Sequence, residues 1–293
     1  MKLFLKKTSV FIFGLFIIFV FLFFGRVIVT KMVSWKLPNN THILFMGASH
    51  VQAGINPSFY NGSINIASSS ERYMFTFLKL KELIKANHQI DTVYIQFAPT
   101  DIHKNTDTKY FQKNEMLHFL PLYSPLFTKK EWNYYLQTSI ETRDDAIKIL
   151  INKMFSKFPT NINSYGGFTP FTSQFDREKE PYNMPVWLNK GSIINYHYLN
   201  EIIRLCDKNN IELFFIYMPM YNKYHFYDID YFYKQYKEHF KNVKLLDYSD
   251  WTCSDSLRKD EHHLNKLGAE NFTKKLKTDI SFKARTHNNV YKK

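Results

Sequence analysis

Two short segments near opposite ends of the chain hold residue types suited to acyl chemistry. In the first, Phe45-Met46-Gly47-Ala48-Ser49-His50, a serine directly follows an apolar run and a glycine. The second, Asp260-Glu261-His262-His263-Leu264-Asn265-Lys266-Leu267-Gly268-Ala269, leads into a helical pattern, and its Asp and His three apart can face one cleft. A serine hydroxyl is a weak nucleophile and needs a base, and the base needs a carboxylate to fix its orientation. Ser49, His263 and Asp260 fill those roles in the chain order Ser, Asp, His. The plainer alternative makes Ser49 a turn residue and Asp260 a helix-start acid paired with Lys259. His50 and His262, beside these residues, read as supporting or exposed groups. No Cys/His cluster has zinc spacing and no Gly-rich loop suits a phosphate, so neither a metal nor another cofactor is implied.

These residues need a scaffold, and the apolar pattern supplies one. His42–Met46, Ser63–Ala67, Thr92–Phe97, Ile211–Met218 and Val243–Leu246 read as buried strands. Helical spacing over Glu71–Asn87, about 195–209, about 229–241 and about 266–277 alternates with them. Ser68 with Glu71 fits a capping box for the first of these helices. Near-continuous apolar strands alternating with helices predict a three-layer α/β/α sandwich around a parallel sheet. In such a sheet ligands meet the carboxyl ends of the strands, where Ser49 falls. Residues 103–194 break the rhythm with a long insertion rich in Tyr, Phe, Trp and Pro, including a helix at about 142–155. Its aromatics Tyr110, Phe111, Trp132, Tyr134 and Tyr135 either pack the insertion or form a platform for sugar rings.

The ends of the chain differ in kind from the body. Thr8–Gly25 is an 18-residue uncharged, largely apolar run, and Val27–Val29 can extend it to the roughly 20 residues that span a bilayer. Lys2, Lys6 and Lys7 precede it, so the N-terminus is expected in the cytoplasm and the body outside. Arg26 and Lys31 are placed to snorkel to the far headgroups. The run ends in Phe-Phe-Gly-Arg-Val, which offers no small-x-small cleavage site. The expected organisation is a cytoplasmic stub and membrane anchor over 1–36, an α/β body over 37–282 and a basic tail over 283–293. The 293-residue chain carries a net charge of +13, but the two ends hold all but +3 of it. That leaves the body without the basic footprint a nucleic acid needs, and excludes nucleic acid as a partner. The 28 Phe and 20 Tyr exclude a disordered chain, and two cysteines, Cys206 and Cys253, decide nothing.

Taken together, Gly47-Ala48-Ser49 and Asp260-x-x-His263 resemble the first and last blocks of the SGNH/GDSL hydrolase superfamily. The continuation His263-Leu264-Asn265-x-x-Gly268-Ala269 is similar to a membrane-anchored branch that includes DltD, the lipoteichoic-acid D-alanylation protein, and the alginate acetylation proteins. The resemblance covers about residues 41–101 and 195–280. It implies a flavodoxin-like sheet, Ser49 as nucleophile, His263 as base and Asp260 as its orienter. The middle blocks depart from the pattern. Ser70 stands where the family has an oxyanion glycine, though a backbone N–H there still suits the role. Thr100 stands where the family has an asparagine donor, and losing one such donor costs about 10²–10³ in rate. The resemblance implies a membrane-anchored O-acyltransferase acting on an extracytoplasmic envelope polysaccharide, supplied with acyl groups by a multi-pass membrane partner. An esterase using the same site, and a catalytically silent glycan-binding module, are the alternatives.

Overall fold

The computed structural model describes residues 2–31, 33–154, 159, 161–176, 190–221 and 229–290. Expectations for residues 177–189 of the insertion, for the last three residues of the basic tail, and for the side chains of Arg26 and Lys31 lie outside this set. Backbone contacts divide the chain into two compact units, residues 1–34 with 111–164, and residues 35–110 with 165–293.

The larger unit is built on a five-stranded sheet. Its elements begin with β1 (Ile43–Met46), α2 (Ser49–Gly54), β2 (Ser63–Asn65), α3 (Tyr73–Ala86) and β3 (Thr92–Gln96). They continue through α4 (Pro99–Ile102), α5 (Asn105–Lys109), α9 (Ile193–Lys208), β4 (Glu212–Tyr217), α10 (Ile229–Gln235), β5 (Lys244–Asp247) and α11 (Lys266–Val290). All strands pair in parallel in the order β2-β1-β3-β4-β5. Parallel strands need crossovers, and the helices supply both covering layers: α3 packs on α9, and α11 packs on α2. This is the expected three-layer α/β/α sandwich.

Residue alternation along the strands fills each face. Phe45, Tyr94 and Phe214 occupy equivalent register positions on β1, β3 and β4, and their rings stack at 5.0 Å from one strand to the next. Val51 and Ile55 of the α2 segment and Phe272 and Leu276 of α11 close over them. On the opposite face Phe97 stacks on Phe215 at 4.5 Å and meets Phe232 and Phe240. Each such fully buried side chain contributes about 1.5–3 kcal/mol, so the sheet is held from both sides.

Two local expectations fail for physical reasons. Ser68 and Glu71 do not form a capping box: α3 starts at Tyr73, with Arg72 at its N-cap and no side-chain cap. Glu71 is instead buried and bonds Lys79 Nζ at 2.6 Å and the Thr76 hydroxyl at 2.9 Å. The neutralisation of a buried cation outweighs the modest gain from a helix cap. The last helix also does not stop near 277. It runs to Val290, as no Gly or Pro follows Gly268 to end it.

The smaller unit is helical, comprising α1 (Lys2–Lys31), α6 (Lys113–Tyr123), a turn at Ser124–Leu126, α7 (Lys129–Leu136) and α8 (Ile140–Met154). Within α1 the window Phe4–Phe21 has a mean hydropathy of 2.0 and none of it is buried by protein, so it is long and apolar enough to cross a membrane. Thr128 and Glu131 cap α7 reciprocally, with Thr128 N–H donating to Glu131 Oε2 at 2.7 Å. The insertion aromatics pack on one another: Phe111 meets Tyr135 at 5.3 Å, and Phe127 meets Trp132 and Tyr135 at 5.2 and 5.7 Å. Tyr110 belongs to the larger unit and is buried, its hydroxyl donating to Asn195. These contacts favour the packing role over a sugar platform.

Candidate active site

A sheet ordered β2-β1-β3-β4-β5 reverses direction between β1 and β3, because their onward connections leave to opposite sides. The carboxyl ends of those two strands therefore flank a crevice. Ser49 opens α2 immediately after β1, and Thr100 lies in α4 immediately after β3.

The turn from β1 into α2 is tight, and its sequence accounts for it. Gly47 has φ +140°, a conformation that L side chains rarely adopt, and a Cβ there would lie 2.4 Å from Gln96 Cβ. The Gln96 side chain then holds the turn from below. Its Oε1 accepts from Ala48 N–H at 3.1 Å and Val51 N–H at 3.4 Å, satisfying the open start of α2. Its Nε2 donates to both Asp101 carboxylate oxygens at 3.1 Å. At the other end of α2, Asn65 Nδ2 donates to the carbonyls of Val51 and Ile55 at 2.8 and 2.7 Å. The short helix carrying Ser49 is thus clamped at both ends by side chains from neighbouring strands.

His263 reaches this serine across 214 residues of sequence. Its Nε2 lies 2.8 Å from Ser49 Oγ, and its Nδ1 lies 2.9 and 3.0 Å from the two Asp260 oxygens. Asp260 Oδ1 also accepts from the His262 and His263 N–H groups at 2.8 and 2.7 Å, and Lys259 Nζ reaches Oδ2 at 2.7 Å. Asp260 therefore makes both the lysine pair and the histidine bond. Burial works to raise the Asp260 pKa, but the bonds from His263, Lys259 and the His262 N–H outweigh it and hold the carboxyl well below its usual range.

The loop is fixed by the residues that follow. Asn265 Nδ2 bonds the carbonyls of Ser256 and Arg258, while its Oδ1 accepts from Gly268 N–H at 3.1 Å and caps α11. A Cβ at Gly268 would sit 2.0 Å from the Leu257 carbonyl oxygen, so only glycine fits. Phe171, which no pattern in the sequence marks, lies edge-on to His263 at 5.2 Å and has Lys259 Nζ 4.8 Å from its ring.

The flanking histidines are not exposed. The His50 ring lies 4.9 Å from His263 and 6.1 Å from His262, and its Nδ1 is buried without a partner among the described residues. Burial and the nearby His263 hold the His50 pKa well below its usual value, and the same causes bring His262 down to about 4.

Ser70 has φ +61°, the left-handed conformation glycine adopts freely. Its turn is tied to the serine loop, since Ser68 N–H donates to the Gly47 carbonyl at 3.0 Å. Among the described residues neither the Ser49 nor the Ser70 N–H has a protein acceptor. Beneath the turn, Lys79 Nζ bonds Glu71 and the carbonyls of Ile66 and Tyr165. Thr100 is half-buried as the second residue of α4, with no bond to Ser49 or His263 among the described residues. Its neighbour Asp101 turns inward, accepts from Ala98 N–H at 3.0 Å and lines a small polar cavity with Gly47, Ala48, Arg72 and Gln96. Burial pushes the Asp101 carboxyl up to about 6 against the lowering effect of its Gln96 bond.

Gln96, Asn65 and Phe171 are the supporting residues that the sequence did not single out. The first two have a faint signal, as amides at the ends of otherwise apolar strands. Phe171 has none. Cys206 is buried, Cys253 is half-buried, and both are free thiols.

No family model matches the sequence, and no curated protein matches it in sequence. Sixteen solved chains match, among them three that align over most of the chain. A candidate acylhydrolase of Bacteroides fragilis shares 10% identity at a TM-score of 0.43, over 87% of this chain and 94% of its own. A GDSL-like lipase of Bacteroides thetaiotaomicron shares 9% identity at 0.40, over 86% and 93%. A candidate platelet activating factor of Streptococcus pneumoniae shares 13% identity at 0.42, over 93% and 98%.

Proposed function

We propose that this chain is a membrane-anchored serine enzyme of the SGNH/GDSL type, working on acyl esters of extracytoplasmic glycans, with O-acyl transfer as its physiological reaction. The carrying observation is the continuous hydrogen-bond chain from Ser49 Oγ through His263 to Asp260. In the reaction His263 Nε2 takes the Ser49 proton as Oγ attacks the ester carbonyl. Asp260, ionised and bonded to Nδ1, holds the ring and stabilises the imidazolium. The Ser49 and Ser70 N–H groups receive the developing oxyanion, with the Thr100 hydroxyl as a third donor. Collapse of the tetrahedral intermediate returns the proton to the leaving alkoxide and leaves an acyl-Ser49 ester. A sugar hydroxyl or water, deprotonated by His263, then attacks that ester and restores the free serine.

The acceptor reading rests on the anchor. About 11 residues separate α1 from β1, and fully extended at up to ~3.6 Å each they reach about 40 Å. A site tethered that closely samples glycans passing the membrane face. Outside the cytoplasm an acyl donor has to be handed across, which calls for a multi-pass membrane partner. Thr100 in place of an asparagine donor favours a second reading, a catalytically silent module with the same fold.

A fluorophosphonate probe separates these readings. An active enzyme is labelled at Ser49, and a silent module is not. Ester-linked acetyl on surface glycans then gives the direction: deleting the gene lowers it for a transferase and raises it for an esterase. No labelling and no change in acetyl would overturn the enzymatic reading.

A further inference from the structure

The helical unit of residues 1–34 and 111–164 presents a second apolar surface besides α1. Ile140, Ile147 and Ile151 of α8 are 75%, 55% and 40% exposed, and Leu136 at the end of α7 is 60% exposed. At 100° per residue the three isoleucines fall within about 40° of one another around the helix. Ala146 and Ile149, on the opposite side of α8, are buried against the rest of the unit. The helix thus has one apolar face inside and another outside, which a face meeting only water would not require. The acid bordering the outer stripe, Asp144, is neutralised by Lys148 at 2.6 Å. Lys148 is itself long enough to lay its stem along the stripe and keep its charge in water.

What covers this stripe follows from its place beside α1. Helix α8 and the Ser124–Leu126 turn pack against α1. Ser34, three residues past the end of α1, forms a bridge with Asn161, seven residues past the end of α8. A bilayer crossed by α1 therefore begins next to α8.

We propose that the Ile140–Ile151 stripe docks on the membrane surface, with Ile140, Ile147 and Ile151 embedded at the headgroup–acyl boundary. This rests on the reading of α1 as an anchor. The unit is then held at the bilayer by two elements, one crossing it and one lying on it.

The test uses the full chain in vesicles of phosphatidylcholine and phosphatidylglycerol, with an environment-sensitive fluorescent amino acid placed singly at Phe13, Glu141, Ile147, Ile151 or Asn152. Lipids carry a nitroxide quencher at the top or the bottom of the acyl chain. Docking predicts several-fold stronger shallow quenching at Ile147 and Ile151 than at the polar positions Glu141 and Asn152, with deep quenching at Phe13. Quenching at Phe13 alone overturns the docking and leaves the anchor intact. No quenching even at Phe13 overturns the anchor and the docking with it. If Ile147 is shielded from aqueous iodide yet untouched by lipid nitroxide, protein covers the stripe, as a second copy would, and the proposal fails.

Discussion

Replacing Gly47 with alanine tests the architecture that aims Ser49. Two independent penalties apply. The backbone at φ +140° is strained for any residue with a Cβ, at a cost of order 1–3 kcal/mol. The added methyl would also sit 2.4 Å from Gln96 Cβ, and forcing an extra carbon into a packed site costs about 1–3 kcal/mol more. The sum, about 2–6 kcal/mol, is a large share of the roughly 5–15 kcal/mol that holds a domain together. Relief by movement would push Gln96 away and release Ala48 N–H and Val51 N–H, shifting Ser49. A misplacement of about 1 Å costs on the order of 10²-fold in rate. Denaturant unfolding of the full chain in detergent, followed by tryptophan fluorescence, reads the first effect. The rate of fluorophosphonate labelling at Ser49 reads the second. Gly14→Ala is the control, since nothing lies within 4 Å of a Cβ there. Should Gly47→Ala match the wild type in both midpoint and labelling rate, the account of this turn is wrong.

Ser49→Ala and His263→Ala should each abolish most turnover, and the double variant should lose little more, as expected of a pair that acts as a unit. Mild, additive losses in ester hydrolysis assays would contradict that. Ser70→Gly should stabilise the chain by about 1 kcal/mol by relieving a left-handed serine, read as a higher denaturant midpoint; a lower midpoint counts against the strain. Stability should also fall on acidification, the two depressed histidines His50 and His262 outweighing Asp101, whose carboxyl, raised to about 6, works in the opposite direction between about pH 6 and 4. His50 and His262 have folded pKa values below the usual 6.5, so from there downward the unfolded chain binds protons that the folded one refuses. The stability they contribute is present above about pH 6.5, and the His262 share is lost by about pH 4. Asp260, also depressed, adds a loss below the ordinary carboxylate range. His262→Gln should flatten the upper part of this slope in unfolding midpoints measured against pH, and an unchanged slope would refute the assignment.

The sequence by itself determined the parallel α/β body, because strands buried on both faces are apolar throughout and their helices keep a 3.6-residue period. It marked the apolar α1, since an uncharged run of that length is long and apolar enough to cross a membrane. It also singled out Ser49, Asp260 and His263, as the short-range constraints around them are written locally: Gly47 before the serine, and Asn265 and Gly268 after the histidine. Tertiary structure alone decided the rest. A helix start at Tyr73 in place of a Ser68 cap depended on Lys79, eight residues beyond Glu71, needing a buried counter-ion. The roles of Gln96 and Asn65 arise because register places two strand-end amides against the open ends of α2, and pairing register is not encoded in any local pattern. Phe171 reaches His263 through a bridge to Asn265, 94 residues away. Contacts between residues so distant in sequence exist only once the sheet has folded. Local chemistry pointed to Ser49, Asp260 and His263, and long-range packing brought Ser49 Oγ to 2.8 Å from His263 Nε2.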